Sequence, residues 1–249
     1  MLPRSFLTTP LAHRGLHRAG VPENSLAAAR AAIGAGYGIE CDIQPAADGA
    51  PMVFHDYQLS RLTGRDGFIA TTERSMLSDV RLTGSEEPIP TLAQFLDTVA
   101  GQVPLLVEIK DQDGSCGQNV GTLPARVAEL LADYEGPVAV MSFNPHMIAA
   151  FRMAAPKIPV GLTTCAFGPA DWSHVPPERR EDLAQIRDFD SLRASFISHD
   201  KGDLANPRVD ALRVQGVPVL SWTIRSEAEE QAARLIADNI TFEGYRPAT

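Results

Sequence analysis

The sequence predicts an α/β fold in which parallel strands alternate with helices, and three observations support this class. Short apolar runs alternate with helical patterns along almost the whole chain of 249 residues, which implies parallel strands joined by crossover helices. The apolar run at 104–110 is nearly continuous, as in strands that are buried on both faces. About eight such units in a chain of this length match a (β/α)8, or TIM, barrel.

A doubly wound open sheet is the alternative topology. Such sheets bind nucleotides through a glycine-rich turn after the first strand. Neither GxGxxG nor GxxxxGK[ST] follows the first apolar run, which weakens a nucleotide-binding version of this alternative. The barrel is therefore the preferred prediction.

The individual elements follow in a regular order. The predicted strands are the runs at 11–13, 38–44, 104–110, 138–143, 159–164, 194–200, 217–224 and 239–244. The predicted helices cover 25–36, 91–100, 124–134, 144–154, 178–189, 206–216 and 226–239. Ser25 or Asn24 is expected to cap the first helix, and Thr91 opens the second directly after a proline.

One segment, 57–90, interrupts this rhythm. It is rich in glycine, threonine and charged residues and has no sustained periodicity. Loops of this length inside compact domains are usually functional or disordered. We interpret the segment as an insertion after the second strand unit of a single domain that spans residues 1–249.

The composition limits the kinds of molecule that the protein is expected to bind and the cellular compartment in which it is expected to occur. The formal charge of −9 argues against a nucleic-acid binder, which usually shows a basic face, but it does not exclude an anionic substrate. Cys41, Cys116 and Cys165 have no CxxC spacing, so we expect neither structural zinc nor a disulfide framework, and a reducing, cytoplasmic compartment. The first residues are too weakly apolar for a signal peptide, and no run suits a membrane span.

Carboxylates stand inside two of the predicted strands. Glu40 and Asp42 are two residues apart, so they share one face of the strand, while Ile39 and Cys41 face the other way. Glu108 occupies the comparable place near the end of the third strand. Three carboxylates that converge at the C-terminal end of a barrel predict a site for Mg²⁺ or Ca²⁺. Ion pairing with strand-end arginines is the alternative for the first two.

Histidines and cations follow the same strand ends. His13 ends the first strand and His55 ends the short apolar run after the Asp48–Gly49 turn. Since imidazole titrates near neutral pH, two such histidines can serve as general base and general acid. Arg14 and Lys110 add positive charge suited to a phosphorane-like transition state. A lone strand-end histidine is more often a structural hydrogen-bonding residue.

Other polar and aromatic residues carry weaker signals. His199, at a further strand end, is an outside candidate, and Trp222 fits either the core or the wall of a substrate pocket. Glu23 and Asn24 are interpreted as helix-entry residues. Cysteines 41 and 165 are expected to be small core residues. The remaining histidines, predicted to lie on the surface, are His17, His146 and His174.

A set of motifs resembles those of the glycerophosphodiester phosphodiesterase family. The motifs are HRG at 13–15, PENS at 22–25, ExD at 40–42, DG at 48–49, HD at 55–56 and ExK at 108–110. Their order and spacing are specific, whereas HRG or ExD alone would not be. Further similarity at RLTGRDG, IPTL, SFN and SWTI extends the resemblance from about His13 to Trp222.

The resemblance implies a TIM barrel with a small insertion and hydrolysis of glycerophosphodiesters to sn-glycerol 3-phosphate and an alcohol. It implies one divalent ion, Ca²⁺ or Mg²⁺, as cofactor. The residues that match the family's functional positions are Glu40, Asp42 and Glu108 for the metal, His13 and His55 for acid/base catalysis, and Arg14 and Lys110, with Trp222, for the substrate. Arg225 stands where members commonly carry Asn, and the terminal NITFEG differs from the usual DGIITDxP, which leaves the alcohol specificity open.

Two further hypotheses accompany this one. A lysophospholipase-D-like enzyme would act on a longer diester through the same catalytic residues and would show an exposed apolar channel near the insertion. A non-catalytic barrel that binds phosphodiesters is expected to have lost a histidine or a metal carboxylate, and this chain has lost none. We expect a small-molecule substrate, no nucleic acid and no stable membrane association, and a homo-oligomer is left open.

Overall fold

A computed structural model describes residues 1–248 and contains nine strands and ten α-helices within that range. The strands are β1 Leu11–Ala12, β2 Gly38–Pro45, β3 Pro51–Val53, β4 Leu105–Ile109, β5 Val138–Ser142, β6 Val160–Thr164, β7 Phe196–Asp200, β8 Val219–Ile224 and β9 Asn239–Phe242. The helices are α1 Ser5–Thr8, α2 Leu26–Gly34, α3 Ser60–Thr63, α4 Arg74–Leu77, α5 Leu92–Val99, α6 Leu123–Leu131, α7 Pro145–Ala154, α8 Pro177–Ala184, α9 Pro207–Val214 and α10 Glu227–Ala233. Two 3₁₀ helices cover Ile69–Thr71 and Lys201–Asp203. None of the helices in residues 1–248 is long and apolar enough to cross a membrane.

The sheet closes into a barrel. The strand order is β1-β9-β8-β7-β6-β5-β4-β2, and β1 also pairs with β2, so that eight parallel strands form a complete ring. Leu11 of β1 is in register with Gly38 on one side and with Thr241 on the other. A closed ring excludes the open doubly wound sheet and confirms the TIM barrel.

Two layers of apolar side chains fill the space around and inside the ring. Alternate residues of the strands, such as Ile39, Cys41 and Ile43 of β2, face outward into the large cluster beneath the helices. The opposite faces of the strand starts form an inner cluster that includes Leu106 and Phe196. This separation follows from the period of two along each strand.

The short helix α1 closes the end of the barrel at which the strands begin. Phe6 is fully buried in the inner cluster, and the side-chain amide of Asn239 donates hydrogen bonds to the backbone oxygens of Phe6 and Thr9. Helix α1 was not predicted, since its apolar patch is only a few residues long. The other end, where the strands finish, stays accessible.

The two predicted helix caps are confirmed, whereas helices α8 and α10 end well before their predicted residues. Ser25 caps α2 by accepting a hydrogen bond from the Ala28 amide, and Thr91 forms a capping box with Gln94. Helix α8 ends before the predicted residue 189 because Ile186 adopts a left-handed backbone conformation. Helix α10 also ends earlier than predicted, in a tightened turn that leads into β9.

The inserted segment has its own small core. After the turn at Asp48–Gly49, β3 pairs antiparallel with β2, and the chain then continues through α3, a 3₁₀ helix and α4. Buried residues of this segment pack against β3 and its neighbours; they are Leu59, Ile69, Leu77, Val80, Leu82 and Ile89. The insertion is therefore irregular, as predicted, and is held by a separate apolar cluster.

Candidate active site

Three carboxylates converge on one side of the barrel interior. Strands β2 and β4 are neighbours, and their register places Asp42 beside Glu108, with Glu40 one layer deeper beside Leu106. Glu40 and Asp42 are each 2% exposed and Glu108 is 5% exposed. One oxygen from each carboxylate lies within 4.8 Å of the others. The expected clustering of these side chains is thus present, in a deeper position than the rim.

Two cations face the carboxylates. The Lys110 amine lies 2.7 Å from Glu108 Oε1 and 3.3 Å from Asp42 Oδ1. The Arg14 Nε atom lies 3.3 Å from Asp42 Oδ2, and the Arg14 backbone N–H donates to Glu40 Oε2 at 3.0 Å. Burial opposes ionisation of Asp42, but Lys110, His55 and Arg14 outweigh it and hold the pKa of that carboxyl well below its usual range.

The cations do not balance the carboxylates. Arg14 and Lys110 carry two positive charges against the three negative charges of the cluster, and Arg14 also pairs with Glu23 at 2.6 Å. Burial, followed by the charges of Asp42 and Glu108, raises the pKa of Glu40 well above its ordinary value. Ion pairing alone therefore leaves a buried negative charge, and the oxygen-only donor set fits a hard divalent cation.

Both predicted histidines are held through the same ring nitrogen. His13 directly follows β1, and its Nδ1 lies 2.6 Å from Glu243 Oε2. His55 follows β3, and its Nδ1 lies 2.7 Å from Asp56 Oδ1. This arrangement leaves Nε2 of each ring for contact with a ligand. Burial lowers the pKa of His13, and the hydrogen bond that its Nδ1–H donates to Glu243 opposes that shift.

All the residues singled out as site residues line one cavity of about 200 Å³ at the C-terminal end of the barrel. They are His13, Arg14, Glu40, Asp42, His55, Glu108, Lys110 and Trp222. Trp222 is fixed by its indole N–H, which donates to the Ser198 backbone oxygen at 2.9 Å. The structure thus brings together side chains from five elements or the turns that follow them.

Sequence reasoning missed several partners of these residues. Asn24, interpreted as a helix-entry residue, is buried and donates through Nδ2 to Asp42 Oδ2 at 2.9 Å. The Thr163 hydroxyl donates to Glu108 Oε2 at 3.3 Å. The position of Asn24 in the PENS motif was the only available signal, and nothing in the sequence connected Thr163 to Glu108.

Four other histidines lie outside this cavity. His199 is fully buried between the Thr164 hydroxyl, at 2.7 Å, and Asp203, so the outside candidate is a hydrogen-bonded core residue. The three histidines predicted to lie on the surface differ from one another. His17 is half-buried, and its Nε2 lies 3.7 Å from Glu243 Oε2. His146 is half-buried and His174 is exposed.

Comparisons with known proteins agree on one family. Residues 13–241 match the model of the glycerophosphoryl diester phosphodiesterase family. A glycerophosphodiester phosphodiesterase of Caldanaerobacter subterraneus subsp. tengcongensis is 31% identical over 167 residues, which cover 62% of this chain and 66% of that protein. The chain thus matches slightly less than two thirds of the length of that relative.

Solved structures show the same architecture. A phosphodiesterase of Oleispira antarctica, solved in complex with the product sn-glycerol-3-phosphate, has a TM-score of 0.78 and 25% identity, with coverage of 96% of this chain and 94% of that one. A glycerophosphodiester phosphodiesterase of Thermotoga maritima has a TM-score of 0.71 and 21% identity, with coverage of 94% of each chain. The second likeness concerns the fold alone.

Proposed function

Because this chain belongs to the glycerophosphoryl diester phosphodiesterase family, we propose that it hydrolyses glycerophosphodiesters to sn-glycerol 3-phosphate and an alcohol with the help of one divalent cation. The observation that carries the proposal is the single cavity that holds two histidines, three carboxylates and two cations. The product bound to the Oleispira antarctica relative supports the glycerol phosphate half of the substrate.

The proposed cation is Ca²⁺ or Mg²⁺, and Glu40, Asp42 and Glu108 would hold it. When bound, such an ion neutralises phosphate charge and acts as a Lewis acid on a phosphoryl oxygen. Asn24 and Thr163 orient two of the three carboxylates through hydrogen bonds, in the way that outer residues commonly fix metal ligands.

Arg14 and Lys110 are the proposed phosphate contacts. Burial would lower the pKa of Lys110, but Glu108 and Asp42 raise it above its ordinary value, so the amine stays charged at neutral pH. Both cations face the same carboxylate, Asp42, from different elements. They would bind the phosphate oxygens and stabilise the charge that develops on them during hydrolysis.

His13 and His55 are the proposed acid/base pair. One imidazole accepts the proton of the attacking hydroxyl, which belongs to water or to the glycerol moiety, and the other donates a proton to the leaving alcohol oxygen. Glu243 and Asp56 hold the two rings at Nδ1, so proton transfer takes place at Nε2. Trp222 forms part of the wall against which the substrate packs.

A substrate panel tests this function directly. The purified protein is assayed with Ca²⁺, with Mg²⁺ and with EDTA, and release of glycerol 3-phosphate from glycerophosphocholine and glycerophosphoethanolamine is measured. We expect turnover that depends on the metal. His13→Ala and His55→Ala are each expected to lose turnover while metal binding is retained, and absence of product with either metal would contradict the proposal.

A longer diester is the second candidate, because the insertion contributes two half-exposed aromatic residues, Tyr57 and Phe68, to a cavity beside the first. Lysophosphatidylcholine in the same panel separates the two: faster turnover of the lysolipid would favour this candidate. A non-catalytic barrel is not favoured, since every proposed catalytic side chain is present. Tight binding of a diester without any turnover would revive that third reading.

A further inference from the structure

A second and larger cavity adjoins the proposed reaction centre. It encloses about 710 Å³ and shares His55, Glu108, Lys110 and Phe143 with the smaller one. A diester whose phosphate lies at the shared residues would extend one substituent into each cavity. The smaller cavity, with its charged walls, suits glycerol phosphate, and the larger one is left for the alcohol.

Aromatic side chains form much of the wall of the larger cavity. Phe143 and Trp172 are in contact, with ring centroids 5.0 Å apart, and Phe167 packs behind Trp172 at 4.7 Å. Tyr57 and Phe68 face them from the insertion. Aromatic faces attract cations, Trp most strongly, and they do so best when the cation is weakly hydrated.

Two carboxylates of the larger cavity have no basic partner. Asp111 and Asp171 both line it, and no basic group of residues 1–248 lies within 4.0 Å of either carboxylate. Lys110 is the one lysine or arginine of residues 1–248 that lines this cavity, and its amine is engaged with Glu108 at 2.7 Å. His174 also lines the cavity, and its ring stacks on Trp172 with centroids 5.7 Å apart. The alcohol end of the cavity therefore has an unbalanced negative field.

Both carboxylate oxygens of Asp111 already accept hydrogen bonds from the protein. Its Oδ1 accepts from the Asp113 amide at 3.1 Å and from the Asn144 side chain at 2.7 Å. Its Oδ2 accepts from the Gly114 amide at 2.8 Å and from the Cys116 amide at 3.1 Å. A carboxylate has about four acceptor sites, so all of them are in use. A cation that needs to donate hydrogen bonds therefore finds no free acceptor site on Asp111.

We propose that the larger cavity is the alcohol subsite and that it selects a quaternary ammonium alcohol such as choline. A trimethylammonium group has no N–H, so it loses nothing at a saturated carboxylate, and it gains from the aromatic wall and the negative field. The inference rests on the proposed hydrolysis. In that reaction the hydroxyl of water or of the glycerol moiety forms the new P–O bond, the bond from phosphorus to the alcohol oxygen breaks, and that oxygen takes up a proton. Where the glycerol hydroxyl attacks, water then opens the cyclic phosphate to give glycerol 3-phosphate.

The test compares glycerophosphocholine with its neutral isostere, the glycerophosphodiester of 3,3-dimethylbutanol, in which carbon replaces the charged nitrogen. Both diesters release glycerol 3-phosphate, so one product assay serves for both. The wild-type ratio of kcat/KM is expected to favour choline about tenfold, equivalent to about 1.4 kcal/mol. Glycerophosphoethanolamine, a primary ammonium that donates hydrogen bonds, is expected to fall below choline.

Variants assign the selectivity to this cavity. Trp172→Leu is expected to bring the choline-to-isostere ratio close to one, and Trp172→Phe, which keeps an aromatic face, is expected to restore part of it. Asp171→Asn, at an exposed position, is expected to lower the ratio about twofold or more and keeps the test valid should Trp172→Leu fail to fold. Asp133→Asn makes the same charge change at an exposed position in the loop that precedes β5, at the other end of the barrel, and should leave the ratio as in the wild type.

The possible outcomes are distinct. Equal kcat/KM values for choline and its neutral isostere in the wild type overturn the inference while leaving the proposed hydrolysis intact. A wild-type preference for choline that Trp172→Leu and Asp171→Asn both leave unchanged overturns the assignment to this cavity. Release of no glycerol 3-phosphate from any diester would instead contradict the proposed function itself.

Discussion

The contact between His13 and Glu243 joins residues at opposite ends of the chain. Glu243 lies directly after β9, and its second oxygen accepts from Arg225 Nε at 2.7 Å. The hydrogen bond from His13 is the largest cause of a pKa for Glu243 well below its ordinary value. The carboxylate therefore stays ionised at neutral pH and holds the imidazole in one orientation and one tautomer.

Glu243→Gln is expected to lower kcat by about tenfold or more with a smaller change in KM, because an amide can turn its NH₂ group toward Nδ1 and release the required tautomer. Glu243→Asp keeps the charge and should recover part of the loss. Steady-state kinetics on glycerophosphocholine measures both. Glu227→Gln, on exposed α10 surface, is the control, and a kcat for Glu243→Gln within twofold of wild type would contradict this role.

Asn24 offers a second test at the same scale. Its backbone is left-handed, with φ of 56°, a conformation that glycine adopts without strain. Asn24→Gly therefore removes the amide that binds Asp42 without disturbing the backbone. We expect divalent-ion affinity to fall by about 10–100-fold, measured by calorimetric titration of Ca²⁺. Unchanged affinity would show that this amide does not orient the ligand.

The residues that could be predicted are those whose position depends on one strand and its neighbour. Glu40, Asp42 and Glu108 follow from the period of two and the pairing of parallel strands. Asn24 and Glu243 could not be predicted in their observed contacts, because those contacts depend on a left-handed backbone and on closure of the ring. Neither feature leaves a periodic trace in the sequence.

Among the elements, the insertion shows most clearly that residues can form a buried core without any periodic apolar pattern in the sequence. Its buried residues Leu59, Ile69 and Leu77 come from separate short turns and meet over β3. No single turn is long enough to repeat an apolar spacing, so periodicity could not reveal this core. Each long helix, in contrast, packs one apolar face against the ring of strands, and the sequence predicts these helices with errors only at their ends.

Two neighbouring positions in α4 measure the contribution of this small core. Leu77 is fully buried, whereas Met76 is 61% exposed. Leu77→Ala is expected to destabilise the insertion by about 2–5 kcal/mol through lost burial and a cavity, and Met76→Ala should have little effect. Hydrogen exchange of the amides in 57–90 measures both. Equal protection in the two variants would show that the cluster does not stabilise the segment.

At the scale of the whole molecule, the alternation of strands and helices is sufficient to predict the barrel, but it does not predict helix α1, which closes one end of it. Helix α1 is too short for a helical pattern, and its role depends on the space left inside the ring. The net charge of the chain also does not indicate the charges of the side chains in the candidate active site. An overall charge of −9 coexists with a cavity that two cationic side chains, Arg14 and Lys110, line.

The global stability should respond to divalent ions through Glu40. The pKa of this carboxyl is raised in the folded state, so its ionised form destabilises the metal-free protein, and this cost appears as the pH rises above the ordinary carboxyl range. Glu40→Gln is expected to raise Tm in EDTA. In the wild type, Ca²⁺ at 100 times its Kd should add about 2.7 kcal/mol, or roughly 5–10 °C in Tm.

The same substitution should remove the response to Ca²⁺, so the two effects have opposite signs. Differential scanning calorimetry with EDTA and with Ca²⁺ measures them in one series. Glu178→Gln, at an exposed position in α8, is the control and should keep the wild-type response. A Tm for the Glu40→Gln variant that rises with Ca²⁺ as in the wild type would exclude this carboxylate as a ligand.

The three unpaired cysteines make the protein a set of built-in chemical reporters. All are buried, and burial raises the pKa of each thiol, that of Cys116 and of Cys165 to about 12. Cys41 lies in the wall of the ring, Cys165 lies in the aromatic cluster beside the larger cavity, and Cys116 belongs to that cluster and lines the cavity. A thiol-specific label therefore reaches Cys41 and Cys165 only after local opening. Its reaction rate at these two residues, read by mass spectrometry, measures how often the ring and the aromatic cluster open independently of each other.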